Sequence, residues 1–140
     1  MTEERFPISP TQTCQGLVYF PRMLDKIRLK AADALPEAYH ANLGKAMDGW
    51  TCSFLKVDYK AVVAQVAKGL SDEEVLAWCY EHGRRPDYFD VGMFNEFMLK
   101  KGFRDELTER LAWRKGESEI SDRDDIQTFF DYIDFDEGRK

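Results

Sequence analysis

Residues 21–28, Pro21-Arg22-Met23-Leu24-Asp25-Lys26-Ile27-Arg28, decide how the chain is read. Proline suits the first turn of a helix, where its fixed φ helps and its missing N–H costs nothing. Behind it Leu24, Ile27, Ala31 and Leu35 recur at helical spacing until Pro36 stops the run. On that helix Leu24, Ile27 and Ala31 share one face, Arg22, Asp25 and Leu29 a second, and Lys26 and Lys30 a third. Asp25 lies three residues from both Arg22 and Arg28, so one carboxylate can bridge either guanidinium, for about 0.2–0.5 kcal/mol if the pair is exposed.

The same grammar continues along the chain. Residues 36–44 (PEAYHANLG) read as a loop, and a weaker helix follows over about 45–56. Asp58 is a helix cap ahead of Val62, Val63 and Val66, with Gly69 as the stop. The run 70–75 (LSDEEV) is the clearest start, with Ser71 and Glu74 as a reciprocal capping pair. Val75, Trp78, Cys79 and His82 then line one face, and Gly83 in a left-handed conformation ends the helix. Asp90 opens the next helix, with Phe94, Phe97 and Met98 inward and Gly102 as its end. Another begins near Asp105 and holds Leu107, Leu111 and Ala112. Ser121 opens the last, with Ile126, Phe129, Phe130 and Ile133 as its apolar face. Strand alternation and Asn-Gly turns are missing. The predicted fold is all-α: a single domain over 1–140 of about six or seven short helices, preceded by a loosely ordered arm at 1–8.

Composition narrows the function. With 44% apolar and 14% aromatic residues among 140, there is enough material for one buried core. The three cysteines, Cys14, Cys52 and Cys79, are odd in number and far apart, which fits reduced thiols rather than a disulfide framework. The acidic, polar opening MTEERFPISP does not read as a secretory signal, and no apolar run is long enough to span a bilayer, so a cytoplasmic, non-membrane protein is expected. Residues 117–140 hold nine acids against three bases, the whole of the net charge of −6. That balance argues against nucleic acid as a partner, the best basic candidates being Arg84, Arg85, Lys100 and Lys101.

Sites are judged by whether a complete constellation exists. Cys79 and His82 are the one close pair of zinc-type ligands, two short of a site, so no metal is expected. The spacing of Asp131, Asp134 and Asp136 fails the calcium-loop pattern. No phosphate-cradling glycine motif is present, and no cofactor is expected. Arg84 and Arg85, in Gly83-Arg84-Arg85-Pro86, form a candidate anion patch. Two uses remain for residues 21–28. In one, Arg22, Lys26 or Arg28 clamps the carboxylates of Asp131, Asp134 or Asp136. In the other, Tyr19, Arg22, Asp25, His40 and Lys45 line a polar pocket for a small anion, in a sensor or an enzyme. The rival function is a non-enzymatic binding or protein-interaction module that self-associates or meets a protein partner, using some of Trp50, Trp78, Trp113, Tyr80 and Tyr88.

The runs GLVYFPRMLDKIRLK (16–30), AYHANLG (38–44), CYEHGRRP (79–86), NEFMLKKGFRDE (95–106) and SDRDDIQTFFDYIDFDEGR (121–139) resemble an uncharacterised bacterial family. It is the domain-of-unknown-function (DUF) family numbered five-zero-six-nine, and the similarity extends from about Ser9 to Arg139. The resemblance implies a small stand-alone domain and brings no activity, cofactor or catalytic residue with it.

Overall fold

The computed structural model describes residues 3–140. The chain divides into two compact units, residues 1–92 and 93–140. Seven α-helices and a two-stranded antiparallel ribbon are present among the described residues, so the fold is mostly helical but not strictly all-α. No helix among these residues is long and apolar enough to cross a membrane.

The ribbon is the first departure from the sequence reading. β1 (Thr13–Cys14) and β2 (Leu17–Val18) pair Thr13 with Val18 and Cys14 with Leu17. The two turn residues, Gln15 and Gly16, both have positive φ, 49° and 83°. This is the backbone demanded by the tight turn that Asn-Gly usually fills. A glutamine in the first place hides the signal, and strands of two residues show no alternation. Cys14, Leu17 and Val18 are buried.

In the first unit α1 (Phe20–Ala31) is the central element and packs against β1, α3 (Tyr59–Ala67) and α4 (Asp72–His82). It is shorter than its apolar register suggested. Asp33 takes a left-handed conformation at φ 55°, and the Ala34 N–H returns to the Leu29 carbonyl at 2.8 Å. Aspartate tolerates this backbone and here does the work of a terminal glycine. Ala34 and Leu35 then fold back onto Leu29, so Leu35 is core by a turn rather than by the helix, and Ala31 is exposed.

The predicted loop at 36–44 contains a 3-10 helix, Glu37–Asn42, and α2 spans Met47–Leu55. Asp58 occupies the cap position of α3, but its backbone carbonyl, not its side chain, takes the helical N–H groups. The capping pair of α4 is present as read: the Ser71 hydroxyl accepts from the Glu74 N–H, and the Glu74 carboxylate accepts from the Ser71 N–H. The buried face of α4 is Val75, Leu76 and Cys79, while Trp78 is half-buried and His82 exposed.

Gly83 ends α4 for a different reason from the predicted one. Its φ is −110°, not left-handed. A Cβ there would stand 2.0 Å from the Leu55 carbonyl oxygen and 2.7 Å from Cγ1 of Val57. The glycine is required by close approach of two backbones, locked by the Arg84 N–H donating to that same carbonyl at 2.9 Å.

α5 (Tyr88–Lys100) runs through the division, its first turn in the first unit. It opens at Asp87, which exchanges side-chain and backbone hydrogen bonds with Asp90, so Asp90 is the reciprocal partner and not the cap. Phe94 and Met98 are buried as expected, whereas Phe97 points outward.

In the second unit α6 (Thr108–Glu117) packs on α7 (Phe129–Asp136), and Leu111, Ile126 and Tyr132 form the core. Ala112, next to Leu111 on α6, is exposed. The last helix opens at Thr128, whose hydroxyl accepts from the Asp131 N–H, and not at Ser121. Residues 121–127 are held as turns because the Lys115 ammonium donates to the carbonyls of Arg123 and Ile126, at 2.7 and 3.0 Å. Those are acceptors a helix would have satisfied itself.

Candidate functional site

The charges of residues 21–28 are not a solvated face. Arg22, Asp25 and Lys26 are 4%, 7% and 7% exposed. A buried charge must be paired or hydrogen-bonded, so each partner carries information.

Lys26 reaches the carboxylate of Asp48 at 2.8 Å, and the Asp48 side chain has no solvent exposure. The Tyr19 hydroxyl joins them, donating to Asp48 at 2.7 Å and accepting from Lys26 at 2.9 Å. The second Asp48 oxygen accepts from the Gly44 N–H at 3.0 Å. Burial, then the neighbouring Asp48 charge, hold the Tyr19 phenol well above its ordinary range. The backbone around this triad is strained. Tyr19, which precedes α1, has φ 74°, and Ala46, which precedes α2, has φ 49° with ψ −120°. Non-glycine residues adopt these conformations only where the surroundings over-determine them. The triad supplies that constraint, since Tyr19 and Asp48 are anchored to each other.

A second cluster ties the N-terminal arm to α1. Residues 1–2 of that arm lie outside the described residues. Arg5 places two nitrogens on the two oxygens of Asp25, each at 2.8 Å, and the Ile8 N–H adds a third bond at 2.9 Å. Arg22 returns the contact by donating to the Ile8 carbonyl at 3.0 Å, with its guanidinium 6.0 Å from the centroid of the Tyr39 ring. Pro7 and Ser9 are buried.

Burial raises the Asp25 pKa, but the Arg5 and Ile8 hydrogen bonds and the Arg5 charge outweigh it, so the carboxyl sits below its ordinary value of 3.8. A depressed folded value means the unfolded chain binds the proton first. The stabilisation is therefore fully present above that ordinary value and is lost as pH falls through the lower folded one. Thermal melts of wild type and Asp25→Asn across an acid series test this. The gap in Tm is expected to be widest near neutrality and to shrink in acid below about pH 4. A gap that stays constant across the series rules out the linkage.

The other predicted site residues fall as follows. His40 is exposed and donates from Nε2 to the Leu35 carbonyl at 2.9 Å, and Lys45 is exposed. Thus of the five pocket residues Tyr19, Arg22 and Asp25 are buried in hydrogen-bonded clusters, and His40 and Lys45 face solvent. Arg28 pairs with Asp72 at 2.7 Å. Among the clamp acids, Asp131 pairs with Lys140 at 3.2 Å and Asp134 with Arg139 at 3.0 Å, while Asp136 is exposed. Each of these ion pairs stays within its own unit.

The two arginines of the anion patch differ. Arg84 pairs with Asp90 at 2.7 Å over the Phe54 ring, whereas Arg85 is exposed and lies over Tyr80. Lys100 pairs with Glu96, and Lys101 is buried with Glu106 beside it. Burial lifts the thiol of Cys14 to about 11 and those of Cys52 and Cys79 to about 12, which makes them poor nucleophiles at neutral pH.

A second arrangement was missed by the sequence reading. Phe89, Met93 and Phe97 stand four residues apart along α5, on one face, and are 69%, 58% and 45% exposed. Tyr88 is almost fully exposed beside them, and the Glu96–Lys100 ion pair at 2.9 Å runs along the stripe. Of the aromatic residues first considered for a partner surface, Tyr88 and Trp113 are exposed, while Trp50, Trp78 and Tyr80 are half-buried. The four-residue spacing was visible in the sequence, but so was the competing face of Phe94 and Met98.

A search of the curated proteins finds no match to this chain. A family profile, in contrast, matches residues 4–139, nearly the whole length. It spans the buried triad, the Arg5–Asp25 pin and the α5 stripe alike, and the chain belongs to the family described as Domain of unknown function (DUF5069).

Proposed function

We propose that this chain is a non-enzymatic protein-interaction module whose partner is a second copy of itself. The observation that carries the reading is the exposed stripe Phe89, Met93, Phe97. Large apolar side chains aligned on one helix face mark contact surfaces. The order Phe-Met-Phe is the same in either direction about Met93. A two-fold axis at Met93 would lay Phe89 of one copy against Phe97 of the other, the self-complementary pattern of a symmetric dimer.

By comparison, Arg22, Asp25 and His40 already hold partners within the chain, which disfavours the small-anion sensor or enzyme. A helix of 13 residues offers a face about 20 Å long, which suits a weak, concentration-dependent dimer rather than an obligate one.

Sedimentation velocity from about 1 to several hundred μM tests the proposal, that being the range in which a micromolar dimer dissociates. Wild type is expected to pass from monomer to dimer. Met93→Lys is expected to remain monomeric with an unchanged circular dichroism spectrum. A wild-type monomer throughout the range, or an undiminished dimer in Met93→Lys, refutes it.

A further inference from the structure

The second unit contains an open cleft of about 430 Å³ that involves no residue of α5. Its volume lies in the range of sites for small organic molecules. The floor is apolar: Leu111 and Ile126 are buried, and Ala112 and Phe103 complete it.

The rim is charged, and unequally so. Arg104 lies over the Phe103 ring, 5.1 Å from its centroid, and makes no ion pair among the described residues. Lys115 holds the Arg123 and Ile126 carbonyls with two of its ammonium hydrogens, which leaves the third. Thr108, the first residue of α6, brings the positive end of that helix to the same wall. Asp124 is the one acid among the lining residues. The lining thus carries two cations and one anion around an apolar floor.

We infer that this cleft binds a small organic monocarboxylate with an apolar body. The body lies against the exposed apolar lining, Phe103 and Ala112, above the buried Leu111 and Ile126, and the carboxylate meets the guanidinium of Arg104, whose fork matches two oxygens. Resting on the Phe103 ring limits the freedom the guanidinium must lose on binding. Asp124 sets the charge limit, since a second carboxylate on the ligand would meet its repulsion. The inference is independent of the α5 dimer, because the two surfaces share no residue.

The test uses 3-phenylpropionate and its uncharged amide as probes, followed by amide chemical shifts of the full chain. The acid is expected to shift residues 102–104, 111–115 and 124–127 saturably at about millimolar concentration, typical of a fragment-sized ligand. The amide is expected to bind about tenfold more weakly, having lost the charge-assisted bonds. Arg104 has φ 53°, a conformation asparagine tolerates, so Arg104→Asn removes the guanidinium without forcing the turn. That variant is expected to reduce acid binding about tenfold and to leave amide binding unchanged. Absence of saturable shifts at these residues, equal affinity for acid and amide, or undiminished acid binding by Arg104→Asn overturns the inference.

Discussion

Asp48→Ala is expected to destabilise the first unit by about 3–5 kcal/mol, the loss typical when one member of a buried ion pair is removed. The variant takes the carboxylate away from Lys26, a buried ammonium, and removes the acceptor that the Tyr19 O–H and the Gly44 N–H share. Lys26→Met is expected to cost a similar amount, because the wholly buried Asp48 carboxylate then loses the cation that meets it at 2.8 Å. The double variant Lys26→Met/Asp48→Ala removes both charges and is expected to be more stable than the sum of the single losses predicts. Urea unfolding followed by far-UV circular dichroism yields all three values, provided the m-value holds steady. Single losses below about 1 kcal/mol would place this pair among ordinary surface ion pairs and remove the explanation offered for the strain at Tyr19 and Ala46.

The second large effect is expected at Gly83. Replacement by alanine puts a methyl group 2.0 Å from the Leu55 carbonyl oxygen, and no rotamer change can relieve a clash between a Cβ and a backbone atom. Moving that oxygen breaks its bond from the Arg84 N–H and disturbs Leu55, which is fully buried. A loss of about 3 kcal/mol or more is expected, the upper end for overpacking. Gly92→Ala is the internal comparison. It lies within α5 with open space around it and is expected to be neutral or to stabilise by up to about 1 kcal/mol. Equal behaviour of the two variants in thermal melts would show that Gly83 is retained for some reason other than close approach.

What the sequence made legible was local. Ser71 and Glu74 announce α4 because a capping pair lies within four residues and needs no other element. Pro21 marks the first turn of α1 for the same reason, whereas Pro36 lies beyond the turn at Asp33 that ends the helix. Where the partner is distant in the chain, the reading failed. Nothing near Lys26 reveals that its counter-charge is Asp48, or that Arg5 reaches Asp25, and without those partners burial of three charges on α1 would have been a poor wager. Ser121 mimicked a helix start, but the Lys115 ammonium had already claimed the carbonyls a helix requires. Gly83 had the right position and the wrong cause. On α5 the two candidate faces were equally apolar, so only the packed structure separates Phe94 and Met98 from Phe89, Met93 and Phe97.

The distribution of the three thiols gives the molecule a built-in clock. Cys14, Cys52 and Cys79 are all buried, all in the first unit, and all protonated near neutrality. An alkylating reagent in solution can therefore modify them only during excursions that open that unit, and its rate counts those excursions. The second unit contains no cysteine and leaves no mark on that record, but it holds Trp113 and no other tryptophan. Mass increments thus time the opening of the first unit with no engineered label, whereas indole emission sums Trp113 with Trp50 and Trp78 of the first unit and does not separate the two.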